Sequence, residues 1–305
     1  MQNLGSLIGD YYNGASITTG INNLGQVAIA GLVPGLGYYH AFLYSNGVIQ
    51  DLGTLPGGYS SSANGINDAG QVVGTSDTAI GQSHAFLYSN GVMQDLGTLS
   101  GYGNSFAFDI NETGQVVGGS ANVASYFNHP YLWSNGVMQD LGALEDNYYS
   151  DSYAVAINNA GQVVGNSTIR AASRAFLYSD GKMLNLGTLG GYESKAADIN
   201  NLGQVVGNSW TAEGEFHAFL YSNGVMQDLS NLLPSDSGWQ GVIPQGINDK
   251  GQVVGYGLFK GEDRAFLMTP ALDQTSVPEP TSGLGLLAFG ALGTSYHLLR
   301  KKTVA

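Results

Sequence analysis

Residues 85–99 read Ala85-Phe86-Leu87-Tyr88-Ser89-Asn90-Gly91-Val92-Met93-Gln94-Asp95-Leu96-Gly97-Thr98-Leu99, and this phrase recurs along the chain. It stands almost unchanged from Ala41, returns with drift from Pro130, Ala175 and Ala218, and is cut short after Ala265. Counted from the preceding residues His40, His84, His129, Arg174, His217 and Arg264, the steps are 44, 45, 45, 43 and 47 residues. A period of that length marks an array of supersecondary units and matches the roughly 40–50 residues of a four-stranded propeller blade.

Each unit encodes two hairpins. Ser89-Asn90-Gly91 joins two apolar runs, and Asn-Gly supplies the two positive φ angles of a type I′ turn. A second turn opens on Ile-Asn and closes on Gly-Gln six times, at residues 21–26, 66–71, 110–115, 157–162, 199–204 and 247–252. The first turn appears only five times, because Leu267 leads into Met268-Thr269-Pro270. Its missing partner aligns at the other end, where Met1-Gln2-Asn3-Leu4-Gly5-Ser6-Leu7 matches the run from Met93. The repeat therefore predicts an all-β fold over residues 1–269. Its form is a six-bladed β-propeller of four-stranded blades, closed by pairing of N- and C-terminal strands, which leaves no blade open. A string of small sandwiches is the alternative, but units of about 45 residues have marginal cores alone.

Composition narrows the function. The net charge is −13, only 11% of residues are charged, and no Lys or Arg precedes Arg170. Such a body repels phosphate backbones, which excludes nucleic acid as a partner. With no cysteine, disulfides and thiolate metal sites are excluded too.

The recurring polar residues read as structural. His40, His84, His129 and His217 share one repeat position, but Arg174 and Arg264 fill the other two and cannot bind a metal. Asp51, Asp95, Asp140 and Asp228 share another with Asn3 and Asn185; that exchange keeps an acceptor and loses a charge, as expected for a group holding a loop amide. Catalytic residues, metal ligands and cofactors are accordingly expected to be none. Residues that break the pattern include Glu145, Asp146, Asp151, Trp210, Glu213, Glu215 and Trp239. Trp210 and Trp239, with Glu213 and Glu215, are candidates for stacking on and hydrogen-bonding a sugar, but loop drift, with Trp filling gaps between blades, is the favoured account. A propeller glycoside hydrolase would need paired carboxylates on the central axis.

Past residue 269 the repeat ends. A polar linker, residues 270–276, precedes Val277-Pro278-Glu279-Pro280, an apolar stretch at 282–299 and the triplet Arg300-Lys301-Lys302. As a helix the apolar stretch would span ~27 Å, near the ~30 Å of bilayer hydrocarbon, with the basic triplet cytoplasmic and the body outside. A buried terminal helix is the other reading.

Two resemblances follow. His-Ala-Phe-Leu-Tyr, Asp-Leu-Gly-Thr-Leu and Ile-Asn-Asn-x-Gly-Gln-Val-Val-Gly together resemble the bacterial HAF family of extracellular repeats, which implies export and a surface or secreted life. Residues 277–305 resemble the PEP-CTERM sorting signal. That resemblance implies recognition of Pro278, Glu279 and Pro280 by an exosortase-type membrane protease, with Arg300, Lys301 and Lys302 as stop-transfer residues. An exported cell-surface or matrix protein of non-catalytic type is the expected function, with extracellular polysaccharide as a possible partner. Met1 occupies the repeat position of Met93, Met138 and Met226, so a signal peptide upstream of a misassigned start is expected.

Overall fold

The computed structural model describes residues 17–33, 35–122, 127–145, 151–234, 236–270 and 296–298. These form six antiparallel sheets, each a four-stranded meander in chain order, and one short 3-10 turn at Ser230–Leu232. The first sheet contains β1 (Ile17–Ile21), β2 (Val27–Leu32), β3 (Tyr39–Ser45) and β4 (Val48–Gly53). The second contains β5 (Ser61–Ile66), β6 (Val72–Asp77), β7 (Ser83–Ser89) and β8 (Val92–Asp95). The third is β9 (Asn104–Ile110), β10 (Val116–Ala121), β11 (Asn128–Ser134) and β12 (Val137–Asp140). The fourth is β13 (Ser152–Ile157), β14 (Val163–Ile169), β15 (Ala172–Ser179) and β16 (Lys182–Asn185). The fifth has β17 (Gly190–Ile199), β18 (Val205–Thr211), β19 (Phe216–Ser222) and β20 (Val225–Asp228). The sixth has β21 (Trp239–Ile247), β22 (Val253–Phe259), β23 (Glu262–Pro270) and β24 (Tyr296–Leu298).

The hairpins follow the turn chemistry. Asn90 and Gly91 sit at φ 52° and 82°, and the other four copies of this turn repeat the pair of positive angles. The glycine after Val-Val has a different task. A bulge in the first strand brings its carbonyl under the second, so a Cβ on Gly118 would lie 1.8 Å from the Phe106 carbonyl oxygen.

The core lies between consecutive sheets. Val73, Leu87 and Leu96 of the second sheet region meet Ala107, Ile110 and Val116 of the third in one buried cluster. The same pairing recurs as Val117 with Ile157, Val164 with Ile199, and Val206 with Ile247. Polar ties run beside it. In each Ile-Asn turn the Asn side chain accepts from the Gln backbone N–H four residues on and donates to that Gln's Oε1. Five of them also donate to the carbonyl of the equivalent Asn in the next sheet. The run goes from Asn22 to Asn67, Asn111, Asn158, Asn200 and Asn248 at 2.9–3.1 Å. A parallel relay links the next residues: the backbone N–H of Asn23, Asp68, Glu112, Asn159 and Asn201 donates to the side chain of the following copy.

Between the sixth and first sheets these marks are missing among the described residues. Asn248 Nδ2 bonds Gln252 and does not return to Asn22. Ile21 is 71% exposed where Ile110, Ile157, Ile199 and Ile247 are buried, and Val254 is 47% exposed where Val73, Val117, Val164 and Val206 are fully buried.

The last sheet departs from expectation. The segment aligned as its fourth strand, Met1–Leu7, lies outside the described residues, and Tyr296–Leu298 pairs there instead, opposite Met268, Thr269 and Pro270. Three residues of the predicted membrane helix at 282–299 are thus extended, because an open sheet edge accepts any strand that meets its backbone groups. The rest of that stretch, with Val277, Pro278, Glu279, Pro280, Arg300, Lys301 and Lys302, lies outside the described residues. Among the described residues no helix is long and apolar enough to cross a membrane.

Replacing Asn158 with Ala should cost about 3 kcal/mol in urea unfolding, since it orphans the Gln162 and Ala160 amides and the Asn200 carbonyl. A loss below about 0.5 kcal/mol would show that the relay is ornamental. Ala171 sits at φ 67° in the β14–β15 turn, so Ala171→Gly should raise stability by about 1 kcal/mol in the same assay.

Candidate functional site

The first strand of each sheet lies against the first strand of the next. The residue just before each turn Ile is therefore carried along the inner side of the array, and in order it is Gly20, Gly65, Asp109, Ala156, Asp198 and Gly246. In two of the six copies this position is a carboxyl residue. Asp109 accepts from the Ile110 N–H at 2.8 Å and, across the junction, from the Ile157 N–H at 2.9 Å. Asp198 accepts from the Ile199 and Ile247 N–H groups, both at 2.8 Å.

Both side chains keep partial solvent access while protein packs densely round them. Burial pushes Asp109 up to about 6, against the pull of its two amide donors. Asp198 is pushed up to about 7 by burial together with the charge on Asp109, against the pull of its two amide donors. Near neutral pH the pair therefore shares protons. Each carboxyl oxygen holds a backbone N–H, so what the geometry shows the two residues doing is stitching sheets.

The repeated His and Asp positions meet. His Nδ1 lies 2.7–3.1 Å from the carboxylate in His40–Asp51, His84–Asp95, His129–Asp140 and His217–Asp228. Asp51, Asp95 and Asp140 also accept from the N–H of Gly53, Gly97 and Gly142, the loop amide expected of them. Where Arg174 replaces His, Asn185 replaces Asp; Asn185 still holds Gly187, and Arg174 turns to the carbonyls of Ser173 and Tyr192. Among the described residues no group of three His, Asp or Glu could hold a metal ion. His217 also meets Glu215; burial disfavours its charge, but Asp228 and Glu215 outweigh that and raise its pKa.

The Trp candidates separate. Trp210 stacks on Tyr192 with centroids 5.3 Å apart and touches Phe216 at 5.4 Å, an aromatic strip along the end of the fifth sheet. Tyr192 is exposed, Glu213 sits at the exposed hairpin tip, and Glu215 pairs with His217. Trp239 is elsewhere, packed against Phe259 and Phe266 at the edge of a core cluster. The structure does not bring the two Trp residues together.

Reading the sequence missed Asp109 and Asp198. Their signal was one position in the turn phrase, Gly or Ala in four copies and Asp in two, which alignment of the repeats displays. It missed the His–Asp pairing as well, although a constant separation of 11 residues marks it.

Comparisons with known proteins support the fold and the tail. The profile of a family described as "Protein of unknown function (DUF3466)" matches residues 94–264, and the PEP-CTERM protein-sorting motif matches residues 276–301. That motif points to an exported protein. No curated protein matches the sequence. Among solved structures, TolB from Acinetobacter baumannii is similar at TM-score 0.52 and 12% identity, over 80% of this chain and 61% of that one. A structure from a study of two prolyl endopeptidases is similar at TM-score 0.55 and 10% identity, over 84% of this chain and 41% of that one. A puromycin-hydrolysing peptidase of Mycobacterium tuberculosis is similar at TM-score 0.52 and 10% identity, over 86% and 44% respectively. The chain thus spans less than two thirds of these proteins, and at such identity the likeness shows a propeller-like all-β fold alone.

The Asp109 and Asp198 carboxyls set a pH dependence. Their folded pKa values lie above the unfolded 3.8, so the stability they contribute is complete below that value and is lost as pH rises through 6 to 7. Unfolding free energies from urea titrations should fall by several kcal/mol from acid toward pH 8, and Asp109→Asn/Asp198→Asn should flatten that slope. Equal slopes in the two proteins would remove the pair as the cause.

Proposed function

The chain belongs to the family described as proteins of unknown function (DUF3466), and from that membership, which carries no activity, we propose a non-catalytic role at the cell surface or in the extracellular matrix. In this reading residues 1–269 are HAF-type repeats forming a six-bladed propeller, residues 270–276 are a linker, and residues 277–305 are the sorting signal. An exosortase-type membrane protease recognises the segment Val277-Pro278-Glu279-Pro280. Residues 282–299 anchor the precursor in the membrane until processing, with Arg300, Lys301 and Lys302 on the cytoplasmic side.

One observation carries the non-catalytic part: the polar side chains that recur in every unit are committed to holding turns and joining sheets. The carboxyls of Asp109 and Asp198, which depart from the repeat, are likewise bound to backbone amides. Ring closure is supported by complementarity. Ile21 and Val254 are counterparts of pairs that are buried together at the made junctions, and burying two such apolar side chains contributes about 3–6 kcal/mol.

A second reading, a carbohydrate-binding propeller, is favoured by the strip of Tyr192, Trp210 and Phe216, with Glu213 and Glu215 in the adjoining exposed turn. Flat aromatic faces stack on the C–H face of a sugar while a carboxylate takes its hydroxyls. Of the sequence candidates, Trp210, Glu213 and Glu215 belong to this proposal, and Trp239 is better explained by packing.

The sorting proposal predicts that in a host with the membrane protease the mature protein lacks the mass of its tail. Changing Pro278 and Glu279 to Ala should leave the precursor full-length and membrane-bound; identical processing of both forms would end this reading. On a glycan array, Trp210→Ala should abolish any binding the parent shows. A parent that binds no glycan removes the second reading.

A further inference from the structure

Two exposed phenols meet across the junction of the first and second sheets. Tyr38 ends the turn from β2 to β3, and Tyr59 lies in the loop from β4 to β5. Their ring centroids are 5.6 Å apart, with the planes inclined at 34°. Tyr38 is 46% exposed and Tyr59 66%. In a core, burial would explain such a contact; at this exposure it explains little of it.

The backbone holds both residues in place. The Tyr38 carbonyl accepts from the Val33 N–H at 2.8 Å, which fixes the turn. Tyr59 is held on either side. Gly58 donates to the Leu55 carbonyl at 2.9 Å and packs so closely on β6 that a Cβ there would lie 2.0 Å from the Asp77 carbonyl oxygen. The Ser60 carbonyl accepts from the Asp77 N–H at 2.9 Å. Ser61 then ties the loop to the first sheet, accepting from the Ala41 N–H and donating to the Gly53 carbonyl. The main chain thus brings the two rings together, and exposed side chains adjust by rotation about χ1 and χ2. Tyrosines of the corresponding loops meet other partners: Tyr102 lies against His129, and Tyr192 stacks on Trp210.

We propose that Tyr38 and Tyr59 form a site of oxidative cross-linking, joined as dityrosine by a one-electron oxidant of the haem-peroxidase class acting with hydrogen peroxide. The oxidant takes one electron and the hydroxyl proton from each phenol, leaving two phenoxyl radicals with spin density on the Cε carbons. A Cε–Cε bond forms between the rings. The hydrogen on each bonded carbon leaves as a proton and each oxygen regains one, which restores two phenols. In sum two C–H bonds give way to one C–C bond, two electrons and two protons leave the protein, and one peroxide becomes two waters. The exported chain has no cysteine, so no disulfide holds its sheets. A Tyr38–Tyr59 bond supplies that constraint, closing a loop between neighbouring sheets and removing its freedom from the unfolded chain. It depends on neither ring closure nor a sugar ligand.

The full chain, kept dilute, is treated with a haem peroxidase and hydrogen peroxide, then denatured and digested with a protease that cuts before Asp. Cuts at Asp10, Asp51 and Asp68 release residues 10–50 and 51–67 as separate peptides, and Tyr59 is the only tyrosine in the second. The expected product is the two peptides joined, two hydrogens lighter than their sum, with fragmentation placing the bond at Tyr38. Tyr38→Phe and Tyr59→Phe should each abolish that species, while Tyr39→Phe should leave it unchanged. The cross-linked parent should also unfold at higher urea than the untreated protein. Bonding of Tyr59 chiefly to a different tyrosine, a linkage found only between copies, or a yield no greater than from protein oxidised in urea would each overturn the site. An unshifted urea midpoint in the cross-linked protein would overturn its bracing role.

Discussion

The structure depends on one side chain used six times: the Asn that follows Ile in each inner turn. It closes its own hairpin through the Gln backbone N–H and, in five turns, reaches the main-chain carbonyl of the next sheet. A carboxamide can do both because it carries acceptor and donor on one planar group, which neither Asp nor Ser does. Buried at Asn67, Asn111, Asn158 and Asn200, it joins the hairpin turn to the sheet junction, so local and long-range structure form together.

The other repeated polar residues extend that economy. Ser61, Ser105 and Ser194 each accept an amide of the preceding sheet and donate to a carbonyl of the loop that arrives from it. Every unit lends side chains to its neighbour and borrows them in return. A sheet at the end of such a series has unmet groups and a bare apolar face, as at Ile21 and Val254. Linear arrays meet that with polar caps, whereas rings meet it by closing.

Function is shaped by the same allocation. Two features depart from the repeat: the carboxyls of Asp109 and Asp198, each held by two backbone amides, and the Tyr192–Trp210–Phe216 strip. The first departure turns carboxyls into stitches whose strength follows pH; the second leaves an exposed aromatic face at Tyr192. The sorting motif at residues 276–301 adds delivery, which is independent of either.

Much of this was legible in the letters. Strand number per unit, hairpin positions and the structural character of the Asp position follow from turn residues whose φ requirements are local. The sorting signal is likewise linear, a motif read without a fold. What only the tertiary structure decided are pairings between distant residues: the partner of each His, the Asn relay, and the meeting of Asp109 with Asp198 in one field. It also separated Trp239, a packing residue, from Trp210 on the surface. The reason is physical: a turn is selected by the torsions of two residues, while a side chain's partner is selected by which sheets come to lie together.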